Sequence, residues 1–132
     1  MARIRLGMVG GGNDAFIGGV HRIASRIDDR FDLVAGALSS TPEKSAASAE
    51  ALGIPRSYGS FEEMAEAEAA RDDGIEAVSI VTPNHVHAAA AKALLAKGIH
   101  VICDKPLTST LEDAEALEAA VARADALFIV TH

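Results

Sequence analysis

Short apolar runs alternate with amphipathic stretches along the whole of this chain. Residues 4–9 are apolar except for Arg5 and Gly7 and stop at Gly10-Gly11-Gly12, which predicts a buried strand running into a tight turn. From residue 16 to 26 the period changes. Ile17, Val20, Ile23, Ala24 and Ile27 recur at spacings of three and four, the apolar stripe of a helix. A second strand is predicted at 31–38. It leads into Thr41-Pro42-Glu43, where Thr41 suits the N-cap and Pro42 the first helical position, since its missing N–H costs nothing there. Gly53 closes that helix near Leu52.

The pattern then repeats. A short strand at 56–58 precedes Ser60-Phe61-Glu62-Glu63, whose spacing is that of a capping box opening a helix towards Ala70. Gly74 ends the acidic connection Arg71-Asp72-Asp73, and a strand is predicted at 76–81. A helix from 85 to 96 ends at Gly98, and a strand follows at 100–103. Ser109-Thr110-Leu111-Glu112 has the spacing of a second capping box with Ser109 as its cap, opening a helix that reaches Arg123; the last strand is predicted at 127–130. Alternation of strand and helix predicts an α/β fold, a Rossmann-type doubly wound parallel sheet in a single domain spanning residues 1–132. Right-handed crossovers in such sheets leave ligand sites at the carboxyl ends of the strands, where every polar motif considered below also falls.

Composition narrows the classes of function. A formal charge of −7 argues against nucleic acid or an anionic membrane as partner, because both need a basic surface. No apolar run reaches the roughly 20 residues of a spanning helix, and Met1-Ala2-Arg3-Ile4-Arg5 lacks the features of a signal peptide, so a cytoplasmic location is expected. Cys103 is the only cysteine, which excludes an intramolecular disulfide; within the run His100-Val101-Ile102-Cys103 it reads as a buried strand residue.

Gly10, Gly11 and Gly12 follow the first strand directly, so backbone can approach a phosphate with no side chain in the way, and the next helix presents its amide groups to the anion. That placement points to a dinucleotide, although Gly18 comes six residues after Gly12 instead of the three of the simple fingerprint. The acidic residue that binds the ribose hydroxyls of NAD is missing after the second strand. Ser39 and Ser40 stand there with Lys44 nearby, which favours NADP slightly within an NAD(P) site. At the end of the 76–81 strand, Thr82-Pro83-Asn84-His85-Val86-His87 gathers polar side chains where a nicotinamide ribose would lie, with Asn84 able to cap the next helix. No metal is expected, since residues two apart on a helix diverge and no carboxylate lies nearby in sequence. Asp104-Lys105-Pro106 ends the next strand and offers an ammonium group to a substrate hydroxyl.

The segments MVGGGNDAFIGGVH, VTPNHVHA and CDKPLT together resemble the N-terminal domain of the Gfo/Idh/MocA oxidoreductases, the glucose-fructose oxidoreductase and inositol dehydrogenase family. The resemblance covers essentially the whole chain. It implies NAD(P)-dependent oxidation or reduction of a sugar, polyol or related hydroxyl compound. Carried over by motif, Gly10, Gly12, Phe16 and Ile17 would line the diphosphate, and Ser39 and Ser40 would lie near the adenosine ribose. Thr82, Asn84 and His87 would lie along the nicotinamide half. Lys105 matches the lysine of the family's EKP motif, which contacts the nicotinamide ribose and substrate and assists proton transfer, and Asp104 replaces the usual glutamate. His21 matches a histidine found after the third glycine. The resemblance also implies a second α/β domain supplying most sugar contacts and an acid/base histidine, so a truncated form, inactive alone, is expected. A homo-oligomer is expected as well. The alternative reading is a non-catalytic dinucleotide-binding sensor or scaffold module.

Overall fold

A computed structural model describes residues 3–12, 16–39, 41–82, 86–105 and 110–131. The elements run β1 (Ile4–Gly10), α1 (Phe16–Ile27), β2 (Phe31–Ala37), α2 (Pro42–Leu52), β3 (Arg56–Ser57), α3 (Phe61–Ala69), β4 (Ala77–Val81), α4 (His87–Leu95), β5 (His100–Cys103), α5 (Leu111–Arg123) and β6 (Phe128–Val130). All strand pairings are parallel, in one sheet of order β3-β2-β1-β4-β5-β6. This is the Rossmann order, with its topological switch between β1 and β4, where a parallel α/β sheet opens a crevice for a ligand. The α/β class and the doubly wound parallel sheet expected from the sequence are both present.

The core lies on both faces of the central strands. All five residues of β4 are buried, as a strand covered on both sides requires. The larger cluster joins Val78, Ile80, Val101 and Cys103 to Met64 of α3, Leu94 of α4 and Leu117 of α5. A smaller one on the other face joins Met8 and Val81 to Leu38, Ala49 and Ile54 around α2. No described helix is long and apolar enough to cross a membrane.

Glycine and cap chemistry set the element ends. Gly53 closes α2 at φ 72°, its N–H and that of Ile54 turning back to the last helical carbonyls. Ser60 caps α3, accepting from the Glu63 N–H at 3.1 Å. At α5 the cap is Thr110 and not Ser109: the Thr110 hydroxyl accepts from the Asp113 N–H at 3.1 Å, so the box begins one residue later than its Ser–Glu spacing predicts. Asp113 serves at that position as well as Glu112 would one residue earlier, which is why spacing alone misplaces the start. Thr41 does occupy the N-cap of α2, but its side chain makes no cap bond. Ser39 Oγ approaches Thr41 Oγ1 at 3.4 Å and accepts from the Thr41 N–H at 3.3 Å, keeping that hydroxyl local to the turn.

Helix α1 departs from the usual reading of an apolar stripe. Val20, Ile23 and Ile27 are exposed, while Gly18 and Arg22 face inward. The cause is the closeness of its first turn to the glycine turn after β1. A Cβ on Gly18 would sit 2.5 Å from Gly11 Cα, a distance only glycine permits. The inner face therefore carries what fits beneath a backbone turn.

Candidate active site

Register brings three strand ends level. Gly10 of β1 pairs with Val81 of β4, and Ile80 pairs with Cys103 of β5. The residues that follow, Gly11-Gly12, Thr82 and Asp104-Lys105, thus emerge side by side at the carboxyl edge. Neighbouring loops touch: a Cβ on Gly10 would meet the Thr82 N and Cγ2 at 3.0 Å.

The turn after β1 is built from glycine backbone. Gly10 and Gly11 take φ values of 78° and 73°, a left-handed conformation that disfavours other residues. The chain then enters α1, whose first amides lack intrahelical partners and carry the positive end of the helix dipole. Of the residues assigned to the diphosphate, Gly12 follows the two left-handed glycines and Phe16 and Ile17 open α1. Two left-handed glycines beside a helix N-terminus fit the diphosphate of a dinucleotide.

Beyond β2 the turn holding Ser39 is pinned from below. The buried Ser45 hydroxyl accepts from the Leu38 N–H at 3.0 Å and donates to the Tyr58 carbonyl at 2.7 Å. Lys44 is exposed in the first turn of α2. Ser40 and Asn84, both expected to contribute, lie outside the described residues.

At β4 and β5 the side chains form a connected set. His21 of α1 lies with Nδ1 2.6 Å from Ser79 Oγ and Nε2 3.6 Å from Asp104 Oδ1. Asp104 also accepts from the Thr131 hydroxyl at 3.0 Å, and its N–H donates to the Ile80 carbonyl at 3.0 Å. Asp104 is thereby held by α1, β4 and the segment after β6, and the exposed Lys105 rises from a fixed base. His87 is buried at the start of α4, with Nε2 donating to the Thr82 carbonyl at 2.9 Å, so it supports the loop after β4 from inside. Cys103 points into the core, and burial, with Asp104 adding to it, pushes its thiol up to about 11; it remains a protonated thiol at neutral pH. No group of three or more His, Cys, Asp or Glu side chains suited to a metal occurs among the described residues. An open, polar depression of about 340 Å³ lies at the opposite edge, lined by Arg5, Arg71, Glu76 and Lys97 among others; it is at the amino ends of the strands, away from these motifs.

Four contributors escaped the sequence reading. Gly18 supplies the close approach of helix to turn, although its irregular spacing hid that role. Arg22 lies beneath the turn, where periodicity would put a solvated residue. Ser79 and Thr131 join the set around Asp104 through pairings of strands and ends that no local spacing announces.

The family described as an oxidoreductase family with an NAD-binding Rossmann fold, Gfo/Idh/MocA, matches residues 4–132. An uncharacterized oxidoreductase of Bacillus subtilis, YfiI, is 39% identical over 98% of this chain and 34% of its own length. Among solved structures, an oxidoreductase from Sinorhizobium meliloti superposes with a TM-score of 0.95 at 65% identity, over 100% of this chain and 37% of that one. An inositol dehydrogenase homolog from Azotobacter vinelandii, complexed with NADH and myo-inositol, gives a TM-score of 0.92 at 44% identity over 98% of this chain and 35% of its own. The chain spans about a third of the length of the curated relatives it matches. On its motifs, its strand order and the match from residue 4 to 132, the chain belongs to the Gfo/Idh/MocA oxidoreductase family, as its NAD-binding Rossmann fold.

Proposed function

We propose that residues 1–132 act as the dinucleotide-binding unit of an NAD(P)-dependent oxidoreductase whose substrate is a hydroxyl group of a sugar or polyol. The single observation that carries this reading is the level alignment of the glycine turn, Thr82 and Asp104-Lys105 at one sheet edge. When bound, the nicotinamide cofactor supplies hydride acceptance or donation. The chain's own residues would do the rest. Gly10, Gly12 and the first turn of α1 from Phe16 and Ile17 would bind the diphosphate; Thr82, Asn84 and His87 would order the nicotinamide end, His87 acting through the Thr82 carbonyl. Lys105 would donate a hydrogen bond to the substrate oxygen and stabilise negative charge there, with Asp104 setting its base.

Ser39 and Ser40, with Lys44, favour NADPH at the adenosine end, because hydroxyls and an ammonium group suit a 2′-phosphate where a carboxylate would repel it. Titration of the chain with NADH and NADPH, followed by nicotinamide fluorescence, tests both points: binding is expected, with NADPH the tighter, and a preference for NADH above tenfold would end the NADPH assignment. The chemical role is tested on the full-length gene product with a panel of sugars and polyols, reading reduced-cofactor absorbance. Turnover that Lys105→Ala lowers by about 100-fold or more is expected; no turnover with any hydroxyl substrate, despite dinucleotide binding, would favour a sensor or scaffold module. A cytoplasmic homo-oligomer suits the same reading, and light scattering of the full-length product measures its size.

A further inference from the structure

The least expected side chain in the domain is Arg22. It projects from the second turn of α1 into the angle between that helix and the glycine turn, where it is 6% exposed. Its Nη1 donates to the Gly11 carbonyl at 2.6 Å and lies 3.6 Å from Met8 Sδ. Gly18 and Gly19 make room for it: a Cβ would come within 3.0 Å of Nη1 at Gly18 and 3.7 Å of Nη2 at Gly19. No carboxylate pairs with it among the described residues, in contrast to Arg56, which meets Glu68 at 2.7 Å. Burial, and secondarily the charge of Arg26, holds its guanidinium below the ordinary arginine value, although arginine stays protonated.

A buried cation without a counter-charge is costly to a fold, and apolar residues of similar volume usually do as well or better in its place. Its position suggests what balances it. In a trans peptide the C=O and N–H point in opposite directions, so fixing the Gly11 carbonyl inward on Arg22 turns the Gly12 N–H outward, over the carboxyl edge. A guanidinium on the carbonyl also polarises that peptide and makes its N–H a stronger donor to an anion.

We propose that Arg22 is a positioning residue for dinucleotide recognition: it locks the Gly11–Gly12 peptide with its N–H facing out, and its charge, beneath the turn, is balanced by the diphosphate above. This rests on the reading that the glycine turn holds NAD(P), and it adds a cationic component to a cradle that otherwise looks like backbone alone. It also accounts for the inverted α1, which turns Gly18 and Arg22 inward while Val20, Ile23 and Ile27 face out.

The test uses the 132-residue chain and its Arg22→Met and Arg22→Lys variants, measuring the melting temperature without ligand and the affinities for NADH and for adenosine, which lacks the diphosphate. For Arg22→Met the expected result is a melting temperature no lower than that of the parent, an NADH Kd raised at least tenfold with a flatter salt dependence, and an adenosine Kd within twofold. Arg22→Lys, keeping the charge, should lie between the two in NADH affinity. If the parent binds NADH and Arg22→Met binds it within threefold, Arg22 has no such role although the cradle stands. A methionine variant that melts lower, or does not fold, marks Arg22 as structural and overturns the proposal too. A parent chain that binds no NADH defeats the reading of the turn itself, and this inference with it.

Discussion

Replacing Gly18 with alanine probes the join on which the cradle depends. The added methyl carbon would sit 2.5 Å from Gly11 Cα and 2.9 Å from the Gly11 carbonyl oxygen, both backbone atoms that no rotamer change can move. Reaching an ordinary contact of 3.4 Å requires helix and turn to separate by about 0.9 Å. Overpacking of this kind costs about 1–3 kcal/mol of stability. The separation also withdraws amides from a bound phosphate, and one hydrogen bond to a charged group contributes about 1.5–3 kcal/mol, or roughly 10- to 150-fold in Kd. The assay is NADH titration of the folded variant beside thermal melting, with Gly53→Ala as the control. Unlike the helical Gly18, Gly53 has a positive φ, of 72°, but its Cβ would meet nothing within 4 Å, so that variant should lose about 1 kcal/mol of stability and no NADH affinity. A Gly18→Ala protein that binds NADH within twofold of the parent would refute the close-approach argument.

Glu68 is fully buried and accepts from Arg56 at 2.7 and 2.8 Å, Tyr58 at 2.5 Å and the Ile75 N–H at 3.1 Å, so Glu68→Gln, which strands Arg56, should cost about 3 kcal/mol in urea unfolding. Burial pushes that carboxyl up, but the bonds from Arg56, Tyr58 and Ile75 and the Arg56 charge outweigh it and hold it below its ordinary value of 4.5. The stability it contributes is therefore present above that pH and lost on acidification through its folded value. Tyr58 moves the other way, pushed up from 10.0 to about 12 by burial and then by its bond to Glu68 and that carboxylate's charge; its contribution is full below pH 10 and falls as pH rises towards 12, and Tyr58→Phe should melt with a flatter alkaline limb. Thr110→Ala removes the cap of α5 and should cost about 1 kcal/mol, as urea midpoints will show.

Much of this architecture could be read from residue patterns. Short apolar runs located β1, β2, β4, β5 and β6, most plainly the wholly buried β4, whereas β3, Arg56–Ser57, has no apolar residue to mark it. The placement of the candidate motifs at the strand ends followed from that order, since ligands of such sheets bind outside the carboxyl ends of the strands. The errors have local causes. Two adjacent hydroxyl residues facing two adjacent carboxylates left the start of α5 ambiguous by one residue. The exposed stripe of α1 misleads because periodicity reports which residues share a face, and not which way that face turns. Contacts such as Arg22 to Gly11, or Thr131 to Asp104 across 27 residues, depend on tertiary placement that spacing does not encode.

The strand order has one more consequence. Ser39 follows β2 and Lys105 follows β5, with β1 and β4 between them, so three strand spacings of about 4.8 Å separate the two loops by roughly 14 Å. On the proposed reading the two loops meet opposite ends of one dinucleotide without touching each other, so their effects on free energy should be close to additive. If the proposed roles hold, the choice between NAD and NADP at Ser39 would change without disturbing Lys105, and a double variant at Ser39 and Lys105 should show close to the product of the two single effects.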